Sequence, residues 1–170
     1  SLEMGAEELG IRRLAMRSLV DTMKLEKGIM TEDEWKRMSD ISSAISQGHC
    51  YTDCTPNRHI NTIRLQCKKL KMQNKLDLLI VDYIGIMSLK GMGDSRQEQI
   101  SNVCIELKNM SKEFDIPVIA LAQINRGPEA RNDKRPMLSD LKESGGIEEN
   151  ADVVMLLYRD EYYHKNTKEK

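Results

Sequence analysis

A chain of 170 residues is long enough for one domain with a sizeable core, and a net charge of −1 excludes a global electrostatic pull toward nucleic acid. Charged residues make up 31% and aromatics only 4%, so the core must come from Leu, Ile, Val and Met, and any anion contact must be a local patch. No apolar run approaches the ~18 residues of a membrane span and the start is not a signal peptide, which favours a cytoplasmic protein without a membrane partner.

In chain order, residues 1–5 read as a strand end and a turn. Residues 6–27 follow as one helix, with Ile11, Leu14, Leu19 and Leu25 on one side and Gly28 able to end it. Thr31-Glu32-Asp33-Glu34 is a capping box. The helix it opens carries Trp35, Met38, Ile41 and Ile45 and stops near Gly48. Residues 49–53 are a short candidate strand. Thr55-Pro56 reads as N-cap and first position of a helix whose inner face is Ile60, Ile63, Cys67 and Leu70. Cations surround that face, which reads as a solvated surface.

The four cysteines, Cys50, Cys54, Cys67 and Cys104, contain no C-x-x-C pair. His49, Cys50, Cys54 and His59 lie close in sequence, but their spacing fits no common structural zinc pattern, so reduced thiols are expected.

Residues 76–82 form an almost unbroken aliphatic run that ends in Asp82, the pattern of a strand buried on both faces. Residues 83–94 hold three glycines and read as a loop. Ser95-Arg96-Gln97-Glu98 is a second capping box, and Ile100, Val103, Leu107, Met110 and Phe114 form a helical stripe. Pro117 opens a strand over 118–122 that ends in Gln123. Residues 126–136 are a charged loop, 138–150 a short segment broken by Gly145-Gly146, and 151–158 a last apolar strand before a polar tail. Strands alternating with helices predict a single α/β domain over 1–170, a mostly parallel sheet with helices on both faces.

The carboxyl ends of such strands share one edge, where open α/β sheets place ligands. That edge would gather Glu3, Asp82, Gln123 with Asn125 and Arg126, and Arg159 to Glu161. Carboxylates for a water and a metal, with an amide able to bond a phosphate oxygen, make the polar half of a nucleotide-hydrolysing site. Each residue alone also has a plain reading as a strand-end or helix-end polar group.

Taken together the segments resemble a known series. Ser1-Leu2-Glu3-Met4, Leu79-Ile80-Val81-Asp82-Tyr83, the run from Pro117 to Arg126, Asp133 to Leu141, Lys142 to Val154, and Tyr158-Arg159-Asp160-Glu161 match DnaB-type replicative helicases in order and spacing. The resemblance implies a RecA-like core of a hexameric ring motor that uses ATP and Mg²⁺ to move along single-stranded DNA, with primase and a helicase loader as partners. It implies that Glu3 activates the attacking water, that Asp82 is the Mg²⁺-linked Walker B aspartate, and that Gln123 senses the γ-phosphate. Lys142, Glu143 and Gly145 match the loop that touches the DNA backbone. A cation and a bare backbone N–H can each approach a phosphate, whereas Glu143 must act through its own N–H or by orienting Lys142. Arg126, Arg131, Lys134 and Arg135 make a second basic candidate, with a solvated surface loop as the alternative. Residues 51–56 resemble the family's strand-to-helix turn, where no metal is bound.

Two departures stand out. No G-x-x-x-x-G-K-[ST] occurs in the chain, and the family's arginine finger would lie beyond the last matched segment. The expectation is therefore a fragment that binds ATP poorly and does not hydrolyse it by itself. Two other readings stay open: another RecA-like ATPase of the recombinase or clock class, without the run from Ser139 to Asp152, and a non-catalytic DNA-binding remnant.

Overall fold

The computed structural model describes residues 1–141 and 145–164. Its contacts divide the chain into two compact units, Ser1–Pro56 and a second that begins at Asn57.

The first unit is helical. α1 (Ala6–Ser18) packs on α2 (Thr22–Lys27) and α3 (Glu32–Ser46). The single helix expected over 6–27 is therefore broken. Leu19 takes a left-handed conformation (φ 54°), Val20 turns inward, and the Asp21 carboxylate accepts from the N–H groups of Met23 and Lys24 as a new N-cap. Gly28 closes α2 at φ 66°, as its position predicts. The Thr31 capping box forms in full, Glu34 N–H to Thr31 Oγ1 at 3.3 Å and Thr31 N–H to Glu34 Oε2 at 2.9 Å. Lys24 also bonds Glu34 at 2.7 Å, tying α2 to α3, and this contact with the Thr31 N–H lowers the Glu34 carboxyl to about 2. The candidate strand at 49–53 is irregular backbone. There the Ser1 backbone nitrogen donates to the Asp53 carbonyl at 3.1 Å.

In the second unit the helix after Pro56 starts later than expected. Asn57 lies at φ 53°, so the chain turns before α4 (Ile60–Met72) begins. His59 is the N-cap. Its Nδ1 accepts from Asn61 N–H at 3.2 Å, which leaves Nε2–H to donate to the Lys90 carbonyl. α5 (Arg96–Phe114) has the stripe its periodicity predicts: Ile100, Val103, Leu107, Met110 and Phe114 are all buried. The second capping box is only half formed. Glu98 N–H donates to Ser95 Oγ, but the Glu98 carboxylate turns to Asp94 N–H instead of Ser95 N–H. α4 packs on α5 through buried Ile60 and Cys67, and Arg64 bridges to Glu106 and Glu113. Thus one cation of the expected solvated face lies between helices. Burial pushes the Cys67 thiol up, and the Cys104 thiol up to about 11.

The sheet is a parallel pair, β1 (Leu79–Val81) and β2 (Val118–Ala120), in the register Leu79 to Val118 and Val81 to Ala120. Among the described residues one side of this pair is covered and the other open: Val81 is buried, whereas Ile80 is 54% and Ile119 40% exposed. The strand expected over 151–158 is corrected: these residues are irregular, since a ladder needs a hydrogen-bonded neighbour and none flanks them among the described residues.

Beyond β2 the chain makes a closed excursion. Ile124 and Leu141 form an antiparallel bridge, and Asn125 N–H donates to the Asp140 carbonyl at 2.7 Å. At this base sits a clasp. The buried Asp140 carboxylate takes both guanidinium nitrogens of Arg131, at 2.9 and 2.6 Å, and Met137 N–H at 2.7 Å. Those bonds, Arg131 first, hold the Asp140 carboxyl below its ordinary range and raise Arg131. The Arg131 guanidinium also donates to the Arg135 carbonyl, so one side chain closes the loop twice.

Two outcomes follow for stability. Met110→Ala empties a fully buried site and is expected to cost roughly 2–5 kcal/mol, read as a lower urea midpoint at unchanged slope. Because the folded Asp140 carboxyl is depressed, the clasp stabilises above the unfolded carboxylate range and is lost as pH falls through the lower folded value. The stability gap between wild type and Asp140→Asn is therefore expected to shrink on acidification. A gap that is constant with pH in urea titrations would show that the ion pair contributes nothing.

Candidate functional site

Parallel pairing puts the carboxyl ends of β1 and β2 side by side. Leu121 N–H donates to the Val81 carbonyl at 2.9 Å and Ile84 N–H to the Leu121 carbonyl at 3.0 Å, so the chain leaves both strands in step. Asp82 is the first residue past β1, half-buried, and the Asp82–Tyr83 peptide is cis. Gln123 follows β2 and is exposed. A cleft opens at this edge, lined by Tyr83, Gly85, Arg96, Gln123 and Ile147. Gly85 is required by packing: a Cβ there would meet the Tyr83 ring at 2.8 Å. The Arg96 guanidinium donates to the Gly85 carbonyl and pins the 3-10 turn at Ile84–Ile86 against the start of α5.

The edge is thus built by local rules. Aliphatic β1 stops at a carboxylate, the chain leaving β2 reaches the amide of Gln123 after Leu121 and Ala122, and α5 supplies a cation and an apolar floor through Ile100. Such an arrangement offers one acidic oxygen donor and one neutral amide beside a partly enclosed space. Magnesium keeps most of its waters and takes one or two protein carboxylates together with phosphate oxygens, so a single half-buried carboxylate at Asp82 suits that ion better than a closed protein cage. Among the described residues no three His, Cys, Asp or Glu side chains gather closely enough to form such a cage.

Of the other sequence-derived candidates, Glu3 is exposed in an irregular stretch of the first unit. Lys142 and Glu143 lie outside the described residues. Gly145 opens α7 (Gly145–Asn150). The four cations of the 126–136 loop play different parts. Arg126 is exposed at the head of α6 (Gly127–Ala130). Arg131 is taken up by Asp140 and Lys134 donates to the Glu129 carbonyl, so both hold the loop's shape. Arg135 lies over the Tyr158 ring at 5.2 Å. Tyr158 in turn stacks on Tyr163 of α8 (Asp160–Tyr163), and its hydroxyl donates to Asp160 at 2.7 Å. That bond, with burial, pushes the phenol up to about 12. Asp140 and Tyr158 went unmarked as site-shaping residues in the sequence. The one available signal was an acidic residue close after a basic loop, which is too common to single out.

Comparison with known proteins gives these residues a setting. The family description "DnaB-like helicase C terminal domain" matches residues 1–170. The replicative DNA helicase DnaC of Bacillus subtilis is 42% identical over 171 residues, covering 100% of this chain and 38% of that protein. The replicative DNA helicase DnaB of Geobacillus stearothermophilus is 37% identical, again over 100% of this chain and 38% of its own length. A solved DnaB-like replicative helicase, studied with its interactions with primase, superposes with a TM-score of 0.93 at 35% identity, over 99% of this chain and 41% of that one. A second solved structure, an ATPase domain, superposes with a TM-score of 0.91 at 36% identity, over 99% of this chain and 61% of that one. The chain spans well under half the length of the curated relatives it matches, and by its whole-length match it belongs to the DnaB-like helicase C-terminal domain family.

Proposed function

We propose that this chain is part of a replicative helicase motor that couples ATP hydrolysis to translocation on single-stranded DNA and to duplex unwinding. The observation that carries the reading is the shared edge of β1 and β2, where Asp82 leaves β1 next to Tyr83, and Tyr83 and Gln123 line one cleft, within a whole-length family match. That match runs through 139–152, the stretch expected to be missing from other RecA-like ATPases.

In this reading the core is RecA-like, a larger parallel sheet with helices on both faces. Asp82 helps hold Mg²⁺, which when bound neutralises phosphate charge. Gln123 hydrogen-bonds the terminal phosphate, and Glu3 takes a proton from the attacking water. Lys142 and the Gly145 backbone approach the DNA backbone, with Glu143 orienting Lys142. Arg126 adds a second contact from a loop whose shape Arg131 and Lys134 maintain, and Arg135 a third where it can leave Tyr158. The working unit is a homo-hexameric ring, a closed arrangement in which each subunit offers the same face to the next. Primase, named with one solved relative, and a helicase loader are its partners, in a cytoplasmic setting. Among the described residues no helix is long and apolar enough to cross a membrane.

The test uses the complete gene product and ATP turnover with single-stranded DNA. Glu3→Ala is expected to lower turnover by roughly 10²–10⁴-fold, the span of general-base catalysis, and Asp82→Ala to abolish Mg²⁺-dependent turnover. Unchanged turnover in both variants would remove the site assignment. Lys142→Ala is expected to flatten the salt dependence of DNA binding by about 0.7 in log–log slope, the loss of one single-strand phosphate contact. The 170-residue chain alone, having no P-loop motif, is expected to show no micromolar ATP binding by calorimetry.

A further inference from the structure

α7 is short, yet its first turn touches three different things. A Cβ on Gly145 would lie 3.2 Å from Gln97 Nε2. Gly146 is buried against Ser101 of α5. Ile147 lines the cleft that holds Gln123 and Tyr83. The middle contact is the tightest glycine seat among the described residues. A Cβ on Gly146 would stand 2.3 Å from Ser101 Cβ and 2.4 Å from Ser101 Cα. Ordinary carbon contacts lie at about 3.5–4.0 Å, so any side chain at 146 must lift α7 by about 1 Å or more.

Gly146 does not adopt a positive φ, so its backbone is open to alanine, and space alone calls for glycine. The opposing surface cannot yield. Ser101 sits between Ile100 and Val103, at 2% and 0% exposure, on a helix fixed by the core. Asn150 Nδ2 donates back to the Gly146 carbonyl at 2.7 Å, so the turn of α7 moves as a piece. Lys108 of α5 pairs with Asp152 just past α7, a second tie between the same two segments.

We propose that the Gly146–Ser101 contact is a positioning joint that keeps the start of α7, and with it the polypeptide at 145, in fixed register with the Gln123 cleft. The inference rests on the helicase reading above. Because the contact is made by Gly146 against Cα and Cβ of Ser101, the joint has no long side chain with which to absorb a shift. A displacement at the Gly145 end reaches Ile147 in the cleft within one helical turn. The joint requires no contact from Gly146 or Ser101 to nucleotide or DNA. Each acts through its neighbours.

The test is ATP turnover by the complete gene product, with and without single-stranded DNA, together with nucleotide affinity. Gly146→Ala and Ser101→Val push the joint apart from opposite sides. Both are expected to keep nucleotide affinity and DNA-free turnover while losing DNA-stimulated turnover by on the order of 10²-fold, the cost of about 1 Å of misplacement. Ser101→Ala removes only the hydroxyl and is expected to retain full stimulation. A normal stimulation ratio in Gly146→Ala or Ser101→Val overturns the proposal, as does parallel loss of DNA-free turnover and nucleotide affinity in both. If Gly146→Ala gives no folded protein, Ser101→Val decides. Absence of DNA stimulation in the unaltered protein would instead remove the helicase reading itself.

Discussion

The second unit depends on one constraint, the buried stripe of α5. Five apolar side chains spaced by three or four residues leave water together, each worth about 1.5–3 kcal/mol when fully buried. That burial fixes the helix in position and in rotation, and rotation is what the site requires. With Ile100 turned to the core, Arg96 is carried to the cleft and Ser101 faces α7. α4 joins the same helix through Cys67 and the Arg64 bridges. A helix free to rotate would carry the same residues and organise nothing.

Cations serve architecture more than the sequence suggests. The charge run at 126–136 looks like an anion-binding strip. In the fold, Arg131 is occupied by a buried carboxylate, Lys134 by a carbonyl and Arg135 by an aromatic face. Breaking a buried charge pair strands the remaining charge, so Arg131 and Asp140 are tied to one another whatever the loop binds. The loop is rigid at its base and its exposed cations differ in how readily each can turn to a ligand.

What could be read in advance was local and periodic. The α5 stripe and the Thr31 capping box were legible because helix packing and capping are written within a few residues. Asp82 and Gln123 were legible as strand-end polar groups, and the parallel pairing then put them on one edge. Pairing itself was not. Residues 151–158 have as good an aliphatic pattern as 79–81, yet a strand exists only where a partner lies alongside, and that information is not in the segment. The break at Leu19 was hidden because a left-handed leucine has no compositional mark, although Asp21 was a usable cap signal. The Asp140 clasp joins residues nine apart across an irregular loop and the Gly146 seat joins two helices distant in sequence, and neither glycine nor aspartate announces which neighbour it will meet.

The thiols divide the molecule chemically as well as spatially. Cys67 and Cys104 are both pushed up by burial, so little reactive thiolate forms at either near neutral pH, whereas Cys50 is exposed and Cys54 half-exposed. Within this chain an alkylating dye or spin label would therefore react first on the segment that precedes Asn57 and more slowly in the cleft-bearing unit. The fold thus supplies a selective attachment point away from β1 and β2 in the chain, without any engineered cysteine.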